Sequence, residues 1–105
     1  MSQYSNSSGF HNTSVGSNSL EPNTSGIQNS SFGMLSLGLN TTGQQSTAVG
    51  FNSLGSNTTG GFNTSIGRTS LYSNITGSNN TSLGYSAGYN STGSNNLFLG
   101  YNAGY

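Results

Sequence analysis

Asn63-Thr64-Ser65-Ile66-Gly67-Arg68-Thr69-Ser70-Leu71-Tyr72-Ser73-Asn74-Ile75-Thr76-Gly77-Ser78-Asn79 is one copy of a 17-residue unit, and the whole chain is written in its register. Full units occupy 12–28, 29–45, 46–62 and 63–79; the fifth, 80–95, is one residue short; partial units fill 1–11 and 96–105. Repetition at a fixed period is the strongest fold signal a sequence can carry, because each unit repeats one local structure and buries its apolar side against its neighbours. The 105 residues therefore read as a single repeat domain, 1–105.

The unit is approximately N-T-S-φ-G-x-x-S-L-x-x-N-T-T-G-x-x, with φ apolar. Its fourth position carries Val15, Phe32, Val49, Ile66, Leu83 and Leu99, and its fifth is glycine throughout, from Gly16 to Gly100. The ninth holds Leu20, Leu37, Leu54 and Leu71, then Gly88 and Gly104, and the fifteenth is again glycine, from Gly9 to Gly93. Such a pattern cannot make an amphipathic helix, and glycine with Asn, Ser and Thr disfavours helix in any case. Short β-prone pieces such as Thr64-Ser65-Ile66, separated by glycine and asparagine corners, predict short strands and tight turns. The two invariant glycine columns predict two corners per unit that need positive φ or close backbone approach.

The fold class expected is all-β: a β-solenoid or β-roll with one coil per repeat, about six coils, and successive coils about 4.8 Å apart. The fourth and ninth positions are expected to stack as two inner columns, making Val15, Leu20, Phe32, Leu37, Val49, Leu54 and Ile66 the core. The residue missing between Tyr89 and Asn90 predicts irregular stacking there. A flexible Gly/Ser/Asn spacer has a similar composition, but it has no reason to keep its apolar residues in register over six units.

Charged residues make up 2% of the chain, against about 25% in ordinary soluble domains. The only acid is Glu21, the only base Arg68 and the only histidine His11; there is no cysteine. Zero net charge permits self-association and gives no electrostatic hold on nucleic acid or an anionic membrane. No stretch approaches the roughly 20 apolar residues of a membrane helix. A serine or threonine nucleophile needs a base and an orienting group, for which His11 and Glu21 are the sole candidates. One acid side chain cannot supply two-carboxylate glycosidase chemistry. No cluster of metal-ligating residues exists, and no lysine follows the glycines to make a phosphate loop. The expectation is a protein that is not an enzyme, with no cofactor and no metal.

Two apolar columns bury little surface against the cost of ordering each coil, so an oligomer or filament is expected, with the chain itself as partner. Phe10, Phe51, Phe62, Tyr72, Tyr85, Tyr89, Tyr101 and Tyr105 are the candidates for outer contacts. The chain enters at the seventh position of a unit and stops at the tenth, two nearly complementary parts of one coil. Leu97-Phe98-Leu99-Gly100-Tyr101 offers an apolar edge. Together these predict head-to-tail stacking into an open filament.

Asn63-Thr64-Ser65-Ile66-Gly67, Ser46-Thr47-Ala48-Val49-Gly50-Phe51-Asn52-Ser53-Leu54 and Gly93-Ser94-Asn95-Asn96-Leu97-Phe98-Leu99-Gly100-Tyr101-Asn102-Ala103-Gly104 resemble repeats of phage and large-virus tail-fibre proteins. They are also similar to the head repeats of bacterial trimeric autotransporter adhesins. The adhesin resemblance implies a left-handed parallel β-roll, three chains side by side, displayed on a surface for attachment. The function expected is a structural, self-assembling, fibre-forming protein of a viral or extracellular filament or appendage. Met1-Ser2-Gln3-Tyr4-Ser5-Asn6 has neither the basic segment nor the apolar run of a signal peptide, so release by lysis to a virion surface or the exterior is the expected route.

Two alternatives stand beside this. An ice-binding solenoid would use threonine ranks, either Thr13, Thr47, Thr64 and Thr81 or Thr41, Thr42, Thr58, Thr59, Thr76 and Thr92. An adhesin would bind a host receptor or glycan with its aromatic and amide groups. Eleven Asn-x-Ser/Thr sequons occur, at Asn6, Asn12, Asn23, Asn29, Asn40, Asn57, Asn63, Asn74, Asn79, Asn80 and Asn90. They read as a by-product of the N-T-S and N-T-T consensus rather than as a glycan coat.

Overall fold

The computed structural model describes residues 6–105. Among them there is no helix, and six strands of three residues each recur once per repeat. They are β1 (Thr13–Val15), β2 (Ser30–Phe32), β3 (Thr47–Val49), β4 (Thr64–Ile66), β5 (Thr81–Leu83) and β6 (Leu97–Leu99). All lie in one parallel sheet in chain order. Thr47 pairs with Thr64 and Thr64 with Thr81, one repeat apart, while Thr81 pairs with Leu97 across the short unit. The chain is thus a β-solenoid whose coils follow the sequence repeat.

Each strand ends at the fifth-position glycine. Gly67 has φ +134°, a backbone open to glycine and strained for any side chain. Beyond it the coil turns inward through left-handed residues at the seventh and ninth positions, as at Asn52 (φ +58°) and Leu54 (φ +51°), and turns again at the seventeenth, as at Phe62 (φ +59°). Two glycine corners were expected; the coil has four positive-φ positions, three of them mostly filled by other residues. A non-glycine residue there costs roughly 1–2 kcal/mol. For the ninth-position leucines, burial worth about 1.5–3 kcal/mol offsets it, since Leu20, Leu37, Leu54 and Leu71 are fully buried.

The other predicted column faces the opposite way. Side chains alternate across a strand. Ser31, Ala48, Ser65 and Ser82 in the third position are the buried ones, so the second and fourth positions point out. Val15 is 57% exposed, Phe32 41% and Ile66 39%, and Val49 is half-buried. The expectation that Val15, Phe32, Val49 and Ile66 line the interior is therefore corrected. The reason is room: the leucine of the far wall reaches the sheet, leaving space there only for serine or alanine. The final coils show the same limit reversed. Phe98 occupies the third position of β6, and the ninth position is then glycine on both sides of it; a Cβ on Gly88 would lie 2.5 Å from the Phe98 ring, and one on Gly104 would also run into it.

Most of the remaining interior is polar, and it is paired. At the twelfth position, Nδ2 of Asn23, Asn40, Asn57 and Asn74 donates to Oδ1 of the asparagine one coil earlier at 2.8, 3.0, 2.9 and 2.9 Å. The same amide also donates to the glycine carbonyl three residues on, as from Asn57 to Gly60 at 2.9 Å. At the first position, the Oδ1 of Asn29 and of Asn63 accepts the backbone N–H of Ser46 and of Asn80, each at 3.0 Å. Serines close the sheet wall: Ser53 Oγ donates to Ser65 Oγ at 2.7 Å, and Ser65 Oγ to the Ser70 carbonyl at 2.9 Å. Buried polar groups are tolerated when each finds a partner, and a 17-residue period lets identical amides partner one another. A Cβ on Gly60 would collide with the Gly77 carbonyl and with the Asn57 side chain, and similar clashes hold glycine at Gly9, Gly26, Gly43 and Gly77; at Gly93, in the short unit, a Cβ would meet only the Asn96 amide at 3.5 Å.

The missing residue is visible. In the regular coils three successive N–H groups converge on one carbonyl of the next coil, as Thr41, Thr42 and Gly43 do on Thr58. Ile75, Thr76 and Gly77 make no such bonds to the shortened coil. The twelfth-position ladder also stops at Asn74, because the Asn90 amide donates to the Tyr105 carbonyl instead, while the first-position ladder continues to Asn96.

Candidate functional site: the outward face of the sheet

Because position three points in, the sheet presents two outward columns. One is Thr13, Ser30, Thr47, Thr64, Thr81 and Leu97; the other is Val15, Phe32, Val49, Ile66, Leu83 and Leu99. Parallel pairing with no register slip sets like residues side by side about 4.8 Å apart, so the six-membered apolar column runs about 24 Å. No charged residue lies in either column. A continuous apolar stripe on the outward face of a sheet that carries no charge is a candidate contact surface.

Beyond the fifth-position glycine, the sixth position makes a third column. There Met34, Phe51, Tyr85 and Tyr101 are exposed. Arg68 lies within it, its guanidinium carbon 5.4 Å from the Phe51 ring centroid and 5.7 Å from that of Tyr85, with Nη1 donating to the Tyr85 hydroxyl at 3.2 Å. The chain's only base is therefore exposed on the surface and packed over two aromatic rings by cation–π contacts. A fourth column, at the tenth position, stacks Tyr72, Tyr89 and Tyr105.

The titratable residues are not brought together. His11 is exposed, with its ring edge-to-face on Phe10 at 4.9 Å. Glu21 accepts from the Asn18 amide in an open cleft of about 330 Å³ lined also by Pro22, Leu35, Gly38 and Leu39. Among the described residues no hydrogen bond joins His11 to Glu21 or to a serine, and no three His, Cys, Asp or Glu converge on a point that could hold a metal ion. No helix of the described residues is long and apolar enough to cross a membrane.

The sequons divide sharply. Asn23, Asn29, Asn40, Asn57, Asn63, Asn74 and Asn80 are fully buried in the ladders; their amide nitrogens are inside the coil and committed to hydrogen bonds. Asn6, Asn79 and Asn90 are exposed and Asn12 half-buried. Of the two threonine ranks, the second-position one lies on the sheet's outward face, whereas Thr58 and its neighbours lie in the turn leading to the fifteenth glycine.

The outward column at position four is the feature that sequence pattern misassigned. Period-two alternation says that neighbouring strand positions face opposite ways, but not which set faces in. The one local clue is the exchange at the chain's last coils, where a large residue at position three coincides with glycine at position nine. No protein-family model, curated protein or solved structure matches the chain, so fold and surface chemistry together carry the functional reading.

Proposed function

We propose that this chain is a structural protein that assembles with copies of itself into a fibre on a virion or cell exterior, and that it performs no catalysis. The observation that carries this reading is the outward apolar column Val15, Phe32, Val49, Ile66, Leu83 and Leu99. Its burial against a second copy removes that apolar surface from water, at about 25 cal/mol per Å². The facing threonines present methyl groups, and no charge on the face must be desolvated. Association side by side along this face thickens the fibre, while head-to-tail stacking of coils lengthens it.

Sedimentation velocity over a range of concentrations, with electron microscopy of the most concentrated sample, tests this. Concentration-dependent assembly is expected, and Ile66→Lys, at an outward position, should reduce it at least about tenfold while leaving the circular dichroism unchanged. A chain that stays monomeric throughout, or a variant that assembles as well as the parent, overturns the reading.

A second reading rests on Thr47, Thr64 and Thr81, which stand in register on the same outward face. Regular threonine ranks on a rigid sheet suit ice binding, although Ser30 and Leu97 break the rank. Thermal hysteresis of dilute protein tests it, and its absence removes it. Attachment to a host receptor or glycan through the aromatic columns is a third role that a fibre of this kind can carry.

A further inference from the structure

Tyrosine is distributed unevenly along the coil axis. Tyr72, Tyr89 and Tyr105 stack on one another, with centroids 5.1 and 5.0 Å apart and planes within 18°. In the neighbouring column Tyr85 stacks on Tyr101 at 5.4 Å and 15°. All five belong to the last three coils, on either side of the junction at which the twelfth-position asparagine ladder ends after Asn74 and the turn amides of Ile75, Thr76 and Gly77 make no three-donor contact. The chain has no cysteine and no tryptophan, so these phenols are its most readily oxidised aromatic groups. Met34 lies on β2's coil, about three coils away from Tyr85.

We propose that the two stacked tyrosine columns are a site of oxidative cross-linking, in which dityrosine bonds staple coils four, five and six together. A one-electron oxidant, photochemical or of the peroxidase class, removes one electron and the phenolic proton from each of two stacked tyrosines. The two phenoxyl radicals join through a carbon–carbon bond between ring positions ortho to oxygen. Each ring then loses the hydrogen at its new bond and regains its phenol. The balance is two tyrosines giving one dityrosine, two protons and two electrons, the electrons going to the oxidant. Stacking holds the partners in place before the radicals form, so coupling within the chain outruns diffusion-limited coupling between chains. The rings are on the outside of the coil, Tyr85, Tyr101 and Tyr105 exposed and Tyr72 and Tyr89 half-buried; they can turn to form the bond without unpacking the leucine column. Each link closes a loop of one repeat, and a cross-link that closes a loop restricts the unfolded chain.

The test is oxidation of the dilute full chain with a ruthenium trisbipyridyl photo-oxidant and persulfate as the electron acceptor, followed by intact mass and peptide mapping. The expected product is monomeric and lighter by two hydrogen atoms per link, with links mapping to Tyr72–Tyr89 or Tyr89–Tyr105 and to Tyr85–Tyr101. It should form at least about tenfold faster than in the same chain unfolded in urea. Tyr89→Phe should abolish the first set and leave Tyr85–Tyr101. Tyr101→Phe should do the reverse, so the pair remains informative if one variant folds poorly. Links scattered over all tyrosines including Tyr4, a pattern unchanged by unfolding, or products joined only between chains would overturn the proposal.

Discussion

Leu54 shows what one residue contributes here. It is fully buried, sits at φ +51°, and is one of four leucines that stack through the first four full coils. Leu54→Ala is expected to cost about 2–5 kcal/mol by urea unfolding, because the rigid turn cannot collapse around the cavity. Asn57 gives a second test. Its Nδ2 donates to Asn40 Oδ1 and to the Gly60 carbonyl, both at 2.9 Å. Asn57→Asp would set carboxylate lone pairs against two acceptors in a buried site, and only the protonated acid could donate to one of them. The folded state therefore holds the proton more tightly than the unfolded chain, whose aspartate titrates near pH 3.9. Stability attached to that proton is present below the unfolded value and lost as pH rises. The variant's urea midpoint, relative to the parent's, should fall between about pH 3.5 and about pH 7. A midpoint difference that is flat or rises over that range would show that the ladder tolerates a carboxylate.

At the scale of the coil, large and small residues are exchanged between facing walls. The first coils pair a ninth-position leucine with serine or alanine at position three; the last pair Phe98 with Gly88 and Gly104. Gly88→Leu alone should destabilise the chain by about 1–3 kcal/mol through overpacking. Gly88→Leu with Phe98→Ser restores the leucine–serine pairing of the earlier coils and should recover part of the loss, a coupling that a double-mutant cycle on thermal unfolding measures. The short fifth unit makes a different prediction. The amides of Ile75, Thr76 and Gly77 lack the shared carbonyl that serves Thr41, Thr42 and Gly43. Hydrogen exchange should be faster at the former than at the latter, since exchange follows local opening. Equal protection would mean that the gap in the repeat has been absorbed elsewhere.

For the molecule as a whole, the proposed assembly rests on the outward sheet face. It is about 24 Å of apolar column on a surface with almost no charge to keep copies apart. Adding a charge to it, as Val49→Lys does on β3, should raise the concentration at which assembly begins, read by light scattering at matched concentrations. The same substitution in a chain that does not associate would leave scattering unchanged. Much of this architecture was legible beforehand. The period set one coil per repeat; the invariant glycines marked positions where neighbouring coils touch; the missing residue in the fifth unit located the break in the ladder. These are properties of spacing, and spacing is written in the sequence. What only the tertiary structure decided is which side of each strand is the inside. Period-two alternation lets Thr64-Ser65-Ile66 face either way, and hydrophobicity alone favours isoleucine inward. The choice falls to serine because Leu71, swung inward by a left-handed turn, already fills the space, and because inner asparagines and serines satisfy one another from coil to coil. Whether a polar group can be buried depends on its partner one repeat away, and that partner exists only once the coils are stacked.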